Sequence, residues 1–145
     1  MSRLDEARSF RETFGQEMLD NISRYGFIKQ KLWTMQCDLI EEEAAEFLQA
    51  ADEVYADPEN DKHRAELLKE LSDLVFVCYQ FAAAFNLDLD EALRRVYESN
   101  MSKLDEQGNV IYRADGKVLK GPNYQPPNLN GLFPASNTLY DTHGK

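Results

Sequence analysis

Residues 69–85 read KELSDLVFVCYQFAAAF. From Leu74 onward the segment is apolar nearly all round, with Gln80 as the one interruption, which marks a buried central helix. The run is shorter than the ~20 residues a membrane span needs. Two acids open it. Glu70 and Asp73 lie on the side of Val77, Phe81 and Ala84, and Glu66 shares that side. Upstream, residues 40–50 read IEEEAAEFLQA. With Ile40 at the centre of the helical view, Trp33, Ala44, Phe47, Ala51 and Val54 fall within about 40° of it, and Leu32, Leu39 and Ala50 extend one flank. Glu43 lies inside that arc and Glu46 on its edge, whereas Glu41 and Glu42 point outside it on opposite sides.

Working outward, the chain reads as all-α. Phe10, Phe14, Met18, Leu19 and Ile22 predict a first helix from Leu4 to about Tyr25, with Gly26 as its stop. A second runs from about Lys29 to Tyr55. In the turn ADPEND, Asp57 is the expected cap and Pro58 the first helical residue of a third helix ending near Phe85. Asp88 and Glu91 resemble a capping box, with Asp in place of Ser or Thr, for a fourth helix to about Leu104. Beyond it, Val110–Tyr112 and Lys117–Leu119 flank RADG, a hairpin signal. The Gly-, Pro- and Asn-rich remainder is irregular. The expected organisation is a helical domain over 1–104 and a hairpin and tail over 105–145. Tyr124, Leu129, Leu132, Phe133 and Tyr140 imply that the tail packs on the domain or on a neighbouring subunit.

The length of 145 residues suits one domain with a real core. With 26 Asp+Glu against 16 Lys+Arg, the net charge of −10 disfavours nucleic acid as a partner. Cys37 and Cys78 sit in apolar helical patterns and read as buried small hydrophobes of a reducing compartment. The N-terminus MSRLDEARSF has no apolar signal-peptide core. A cytoplasmic protein without a membrane partner is expected.

Carboxylates on a core face need an explanation. Two unit charges 4 Å apart repel by roughly 4 kcal/mol even at an effective dielectric of ~20. Glu43 beside Glu46, facing Glu70 beside Asp73 on a consecutive and antiparallel helix, have three ways out. They protonate, each meets a base, or they hold metal. Lys29, Lys31, Lys62, Arg64 and Lys69 are the available bases. Helical spacing places only Lys69 near the acids, and it points elsewhere. Oxygen-only ligands select hard ions such as Mg²⁺ or Mn²⁺.

The compound motif Glu43-x-x-Glu46, 23 residues, Glu70-x-x-Asp73, with EEAAEF, ELSDLVF and VYESNMSKL, resembles the MazG-like all-α nucleoside triphosphate pyrophosphohydrolases. That superfamily includes dimeric dUTPases, dCTP pyrophosphatases and phosphoribosyl-ATP pyrophosphohydrolase. The resemblance covers about Lys29 to Leu104, and the tail KVLKGPNYQPP is similar to that of small phage and bacterial members. It implies a four-helix bundle that hydrolyses a nucleoside triphosphate between the α- and β-phosphates, releasing monophosphate and pyrophosphate. It implies Glu43, Glu46, Glu70 and Asp73 as ligands of Mg²⁺ (Mn²⁺ substituting), with more than one ion, and Glu42 or Glu46 as the carboxylate that activates water. Asn100 and Lys103 match a family phosphate position, and Lys117, Lys120 and Tyr124 are tail candidates for the same task. GKVLKG is not a P-loop, because no Gly-Lys-Ser/Thr follows a strand and opens a helix. Trp33 and Gln36, with Gln30 and Asn21, are base-binding candidates, although the place of Trp33 on the apolar face favours core packing for it. A deoxynucleotide, with dGTP foremost, and assembly as homodimer or homotetramer follow by analogy with the small phage type.

Two other classes compete. A di-iron carboxylate bundle needs Glu-x-x-His on two helices, and neither His63 nor His143 completes one. A non-catalytic acidic interaction module would keep the carboxylates solvated. Within the family, dUTP, dCTP and phosphoribosyl-ATP are alternative substrates.

Overall fold

The computed structural model describes residues 1–23 and 27–135, the side chains of residues 27 and 28 excepted. The expectations for Tyr25, Gly26, Tyr140 and His143 lie outside the described residues. The described chain contains four helices and no strand, so the all-α class holds. It divides into two compact units, one of Met1–Leu87 with the described residues from Pro134, the other of Asp88–Phe133.

In the first unit, α1 spans Arg3–Thr13, α2 Phe27–Ala56 and α3 Asp61–Ala84. Ser2 caps α1. Its Oγ accepts from Asp5 N–H at 3.1 Å and Asp5 Oδ2 accepts from Ser2 N–H at 3.2 Å, a closed capping box. The helix stops at Thr13, well before the expected Tyr25. Gly15 adopts φ +63°, and the N–H groups of Gly15 and Gln16 donate to Glu12 O at 3.3 Å and Arg11 O at 2.8 Å. This is a Schellman stop, which satisfies the last carbonyls and overrides the apolar periodicity that continues beyond it. Leu19 and Ile22 therefore reach the core from irregular chain. Leu19 N–H donates to Ala84 O at 2.7 Å, and both side chains pack against Leu32, Ala84 and Phe85.

The third helix starts later than expected. Asn60, not Asp57, is the cap, its Oδ1 accepting from Lys62 N–H at 3.0 Å and His63 N–H at 3.2 Å. Asp57 Oδ2 holds the cap side chain through Asn60 Nδ2 at 3.1 Å, and Pro58 stays in the turn. An Asn side chain both caps and tolerates turn backbone, so it takes the position nearest the helix.

Helices α1 and α2 both pack on α3. Trp33, Phe81 and Phe85 meet pairwise with ring centroids 4.9–5.1 Å apart, so Trp33 contributes to the core although it is partly exposed. Arg11 is buried, only 1% exposed, and hands its protons to protein acceptors. Its Nε donates to Glu17 O at 2.9 Å and its Nη1 to Gln80 Oε1 at 3.2 Å, while Gln80 Nε2 donates to Ala7 O at 3.4 Å. Burial pulls the Arg11 pKa down, and Glu17 opposes that. Gln80, the interruption in the apolar run, is thus the socket for α1.

Helix α3 is not buried all round. Leu68, Leu71, Val75 and Phe76 are 41–65% exposed, and with Arg3, Glu6, Ser72 and Tyr79 they line an open groove of about 490 Å³. Cys78 is half-buried and its thiol pKa is raised by burial, but Cys37 is exposed, contrary to expectation. On the helical wheel it borders the apolar arc beside Ala44 without being covered. No helix among the described residues is long and apolar enough to cross a membrane.

The second unit carries α4, Leu89–Met101, shorter than the expected end at Leu104 because Ser102 caps it. Asp88 Oδ1 accepts from Glu91 N–H at 3.1 Å, half of a capping box. Glu91 turns instead to Arg94 and Arg95, with Nε contacts of 2.8 Å and 3.1 Å. The hairpin signal yields a single antiparallel bridge, Tyr112 with Val118, around a turn with Gly116 at φ +89°. The tail is fastened to α4 by Arg95 Nη1 to Asn128 O at 2.9 Å and Ser99 Oγ to Gln125 O at 2.6 Å, and to the chain just beyond it by Gly121 N–H to Lys103 O at 2.8 Å.

Two tests follow for this unit. The Arg94 guanidinium first, then Arg95, hold the Glu91 carboxyl at about 2, below its ordinary 4.5. A depressed carboxyl supplies stability above the unfolded value and loses it as pH falls through the folded value. Amide exchange protection in α4 is therefore expected to fall between pH 4.5 and about 2, and Glu91→Gln should flatten that dependence. At Gly121, a Cβ would sit 2.5 Å from Leu104 O and 2.7 Å from Lys103 O, both backbone atoms. Gly121→Ala should cost about 1–3 kcal/mol of local stability, read as faster amide exchange over residues 117–125.

Candidate metal centre

The acids converge from two helices. Glu43 and Glu46 stand one turn apart on α2, and Glu70 comes from the facing α3. One carboxylate oxygen from each lies within 4.8 Å of the other two. Glu70 is 6% exposed, Glu43 half-buried and Glu46 exposed at the rim. The buried oxygens Glu43 Oε2 and Glu70 Oε2 find no hydrogen-bond donor. Glu43 stands among other carboxylates. Buried polar atoms without partners are rare in folded proteins and call for a ligand, an ion or water.

Electrostatics points the same way. Burial first, then the charges of Glu46 and Asp73, raise the Glu43 pKa. Lys69 does the opposite for Glu70. Its hydrogen bond is the first cause of a lowered Glu70 pKa. Lys69 Nζ lies 3.1 Å from Glu70 Oε1 and 3.1 Å from Asp73 Oδ2, and its own pKa is raised by these two acids. The expectation that Lys69 points elsewhere is therefore wrong. Helical spacing fixes only the Cα–Cβ direction, and a four-carbon stem bends back across the turn. Asp73 lies close enough to raise the Glu43 pKa and is shared with Lys69, outside the tight trio.

The donor set suits a hard divalent cation. It offers carboxylate oxygens alone, two of them buried and unsatisfied, without a His or Cys among them. Beside it runs a cleft of about 400 Å³ lined by Glu46, Gln49, Ala50, Glu53, Glu66 and Glu70, with Ala45. Glu53 was not singled out from sequence. The available signal was spacing: it follows Glu46 by two turns on the same side of α2, as Glu66 precedes Glu70 by one on α3.

The other sequence candidates are distributed. Glu42 lies with Asp38, Leu39 and Met35 along a different, exposed concavity of α2. Gln36 is 1% exposed and its Oε1 has no partner. Trp33 packs on Phe81 and Phe85 one turn away on α2. Gln30 lines the Glu42 concavity, and Asn21 Nδ2 donates to Ala135 O at 3.0 Å. In the second unit, Gly121 N–H on Lys103 O and Tyr124 N–H on Gly121 O, at 2.8 Å and 3.2 Å, gather Lys103, Lys120 and Tyr124 locally. Asn100 O accepts from Lys103 N–H at 3.2 Å. Lys120 Nζ rests over the Tyr124 ring, 4.7 Å from its centroid. Lys117 O accepts from Arg113 N–H in the hairpin turn.

Comparison with individually curated proteins gives no match. The sequence profile of the family described as phosphoribosyl-ATP pyrophosphohydrolase matches residues 7–100, well over half of the 145 residues and including every acid of the cluster. It is one of the families grouped with MazG in the resemblance above. An all-α chain that brings carboxylates together from two paired helices belongs, by this match, to the phosphoribosyl-ATP pyrophosphohydrolase family and to its general chemistry, hydrolysis of a pyrophosphate linkage in a nucleotide.

Proposed function

We propose that the protein is a Mg²⁺-dependent nucleoside triphosphate pyrophosphohydrolase of the small MazG-like type. In this reading water attacks the α-phosphorus, the bond to the α–β bridging oxygen breaks, and monophosphate and pyrophosphate leave. The observation that carries it is the trio of Glu43, Glu46 and Glu70, with two buried oxygens lacking any donor. A triphosphate is itself anionic, so such a site can meet it only through cations. Mg²⁺ held by Glu43, Glu46 and Glu70 would supply Lewis-acid polarisation of the phosphate and a more acidic water.

The chain's own tasks follow from its placement. Glu43, Glu46 and Glu70 hold the ion, and Asp73 adds a fourth carboxylate to their field. Of the two candidates for the base, we favour Glu46 over Glu42. Glu46 lies in the trio and on the cleft, within reach of a water there. Asn100, Lys103, Lys120 and Tyr124 keep the phosphate role on chemistry: an amide, two ammonium groups and a phenol are donors for phosphate oxygens. Gln36, with an unsatisfied buried carbonyl, and Trp33 remain the base-reading pair, with a deoxynucleotide and dGTP first as the substrate. A second copy of the chain is the proposed cover of the bare side of α3. Two copies of that apolar stripe would meet patch to patch across a two-fold axis, on a protein that is otherwise strongly acidic.

The second reading is phosphoribosyl-ATP as substrate, favoured by the description of the matching family. A panel of dGTP, the other nucleoside triphosphates and phosphoribosyl-ATP, assayed with Mg²⁺ for pyrophosphate against phosphate, separates the two. Pyrophosphate from dGTP supports the first reading. Turnover of phosphoribosyl-ATP alone replaces it by the second, and no divalent binding with no turnover leaves an acidic interaction module.

A further inference from the structure

We propose that Lys69 is a built-in competitor of the metal, an ammonium group that contends with the divalent ion for Glu70 and Asp73 and thereby sets the affinity of the site. This rests on the reading of the acidic trio as metal ligands. Three observations carry it. Lys69 Nζ is 3.1 Å from Glu70 Oε1 and 3.1 Å from Asp73 Oδ2, so it occupies one oxygen of a trio carboxylate and one of its neighbour. Among the described residues it is the only basic group within ion-pairing distance of Glu43, Glu46, Glu70 or Asp73. It leaves the job unfinished, since Glu43 Oε2 and Glu70 Oε2 remain buried without a donor.

The pair is also built to be broken. The Lys69 side chain is 60% exposed, whereas that of Glu70 is 8% exposed. The acid is fixed inside and the base stands on the solvent side. An exposed ammonium on a flexible stem gains little from its ion pair and can swing into water. A doubly charged ion that reaches several carboxylates at once displaces it. A buried lysine or a bidentate arginine in that place would hold the oxygens far more firmly. The effect on metal binding is accordingly a moderate one.

The test uses the full-length protein and Mn²⁺ alone, followed by titration calorimetry without nucleotide. Lys69→Met keeps most of the stem and removes the charge. It should lower the Mn²⁺ dissociation constant roughly three- to tenfold. It should also lower the melting temperature in EDTA and enlarge the rise that Mn²⁺ produces. Lys69→Arg keeps the charge and should bind Mn²⁺ no more tightly than the wild type. Unchanged or weaker Mn²⁺ binding by Lys69→Met, with the wild type binding normally, would overturn the proposal. A raised KM at unchanged Mn²⁺ affinity would do so too, by making Lys69 a phosphate contact. Failure of the wild type itself to take Mn²⁺ refutes the ligand assignment on which the proposal stands, a different and recognisable result.

Discussion

Glu70→Gln is expected to reduce pyrophosphate release by at least about a hundredfold, since loss of even an outer partner of a bound metal costs 10–100-fold. Glu70 is the one buried acid of the trio and the one that α3 contributes. The amide matches its shape but offers a neutral oxygen to the ion. The fold should survive, which circular dichroism and gel filtration check. Glu43→Gln should also lose turnover, yet be more stable than the wild type at neutral pH in EDTA. The reason is its raised pKa. A carboxyl whose pKa rises on folding adds stability below its unfolded value, and that stability is lost as pH rises through the folded value. Glutamine mimics the protonated carboxyl and keeps that contribution as the pH rises. Near-normal turnover of Glu70→Gln would remove the centre from the mechanism.

Arg11→Met should be the most damaging change away from the acids. It strands the buried Gln80 Oε1 and removes the Arg11 donor from the part-buried Glu17 O. Each unsatisfied buried group costs about 1–3 kcal/mol. A total of about 3 kcal/mol corresponds to roughly 6–12 °C for a chain of this size. Adding Gln80→Leu removes one orphan and should recover part of the loss. A melting temperature within about one degree of wild type would show that α1 is held to α3 by its apolar contacts alone.

Helix existence was readable because the apolar spacing of α2 and α3 is strong and their ends lie near turn residues. The end of α1 was not. Phe14, Met18, Leu19 and Ile22 keep a helical period, and only the backbone of Gly15 reveals that the chain has already turned. Glycine is permissive, so its presence does not announce which glycine stops a helix. The Asn60 cap was hidden by an equally plausible Asp57–Pro58 pair, and Asp57 turned out to hold the cap's side chain. At the centre, spacing along each helix and the 23-residue separation were enough to nominate Glu43, Glu46 and Glu70. Lys69 escaped because a wheel carries no information about the reach of a flexible side chain. Arg11 escaped because a charged residue next to a phenylalanine reads as surface until its acceptors are seen.

The chain also brings its own optical probe. Trp33 is its single tryptophan and Cys37 follows one helical turn later. Cys37 is accessible while burial keeps the Cys78 thiol protonated and slow. A maleimide dye at neutral pH will therefore label Cys37 first and sit beside the indole as an energy acceptor. Emission from that pair can follow rearrangements of α2 in real time, in a protein that needs no engineered cysteine.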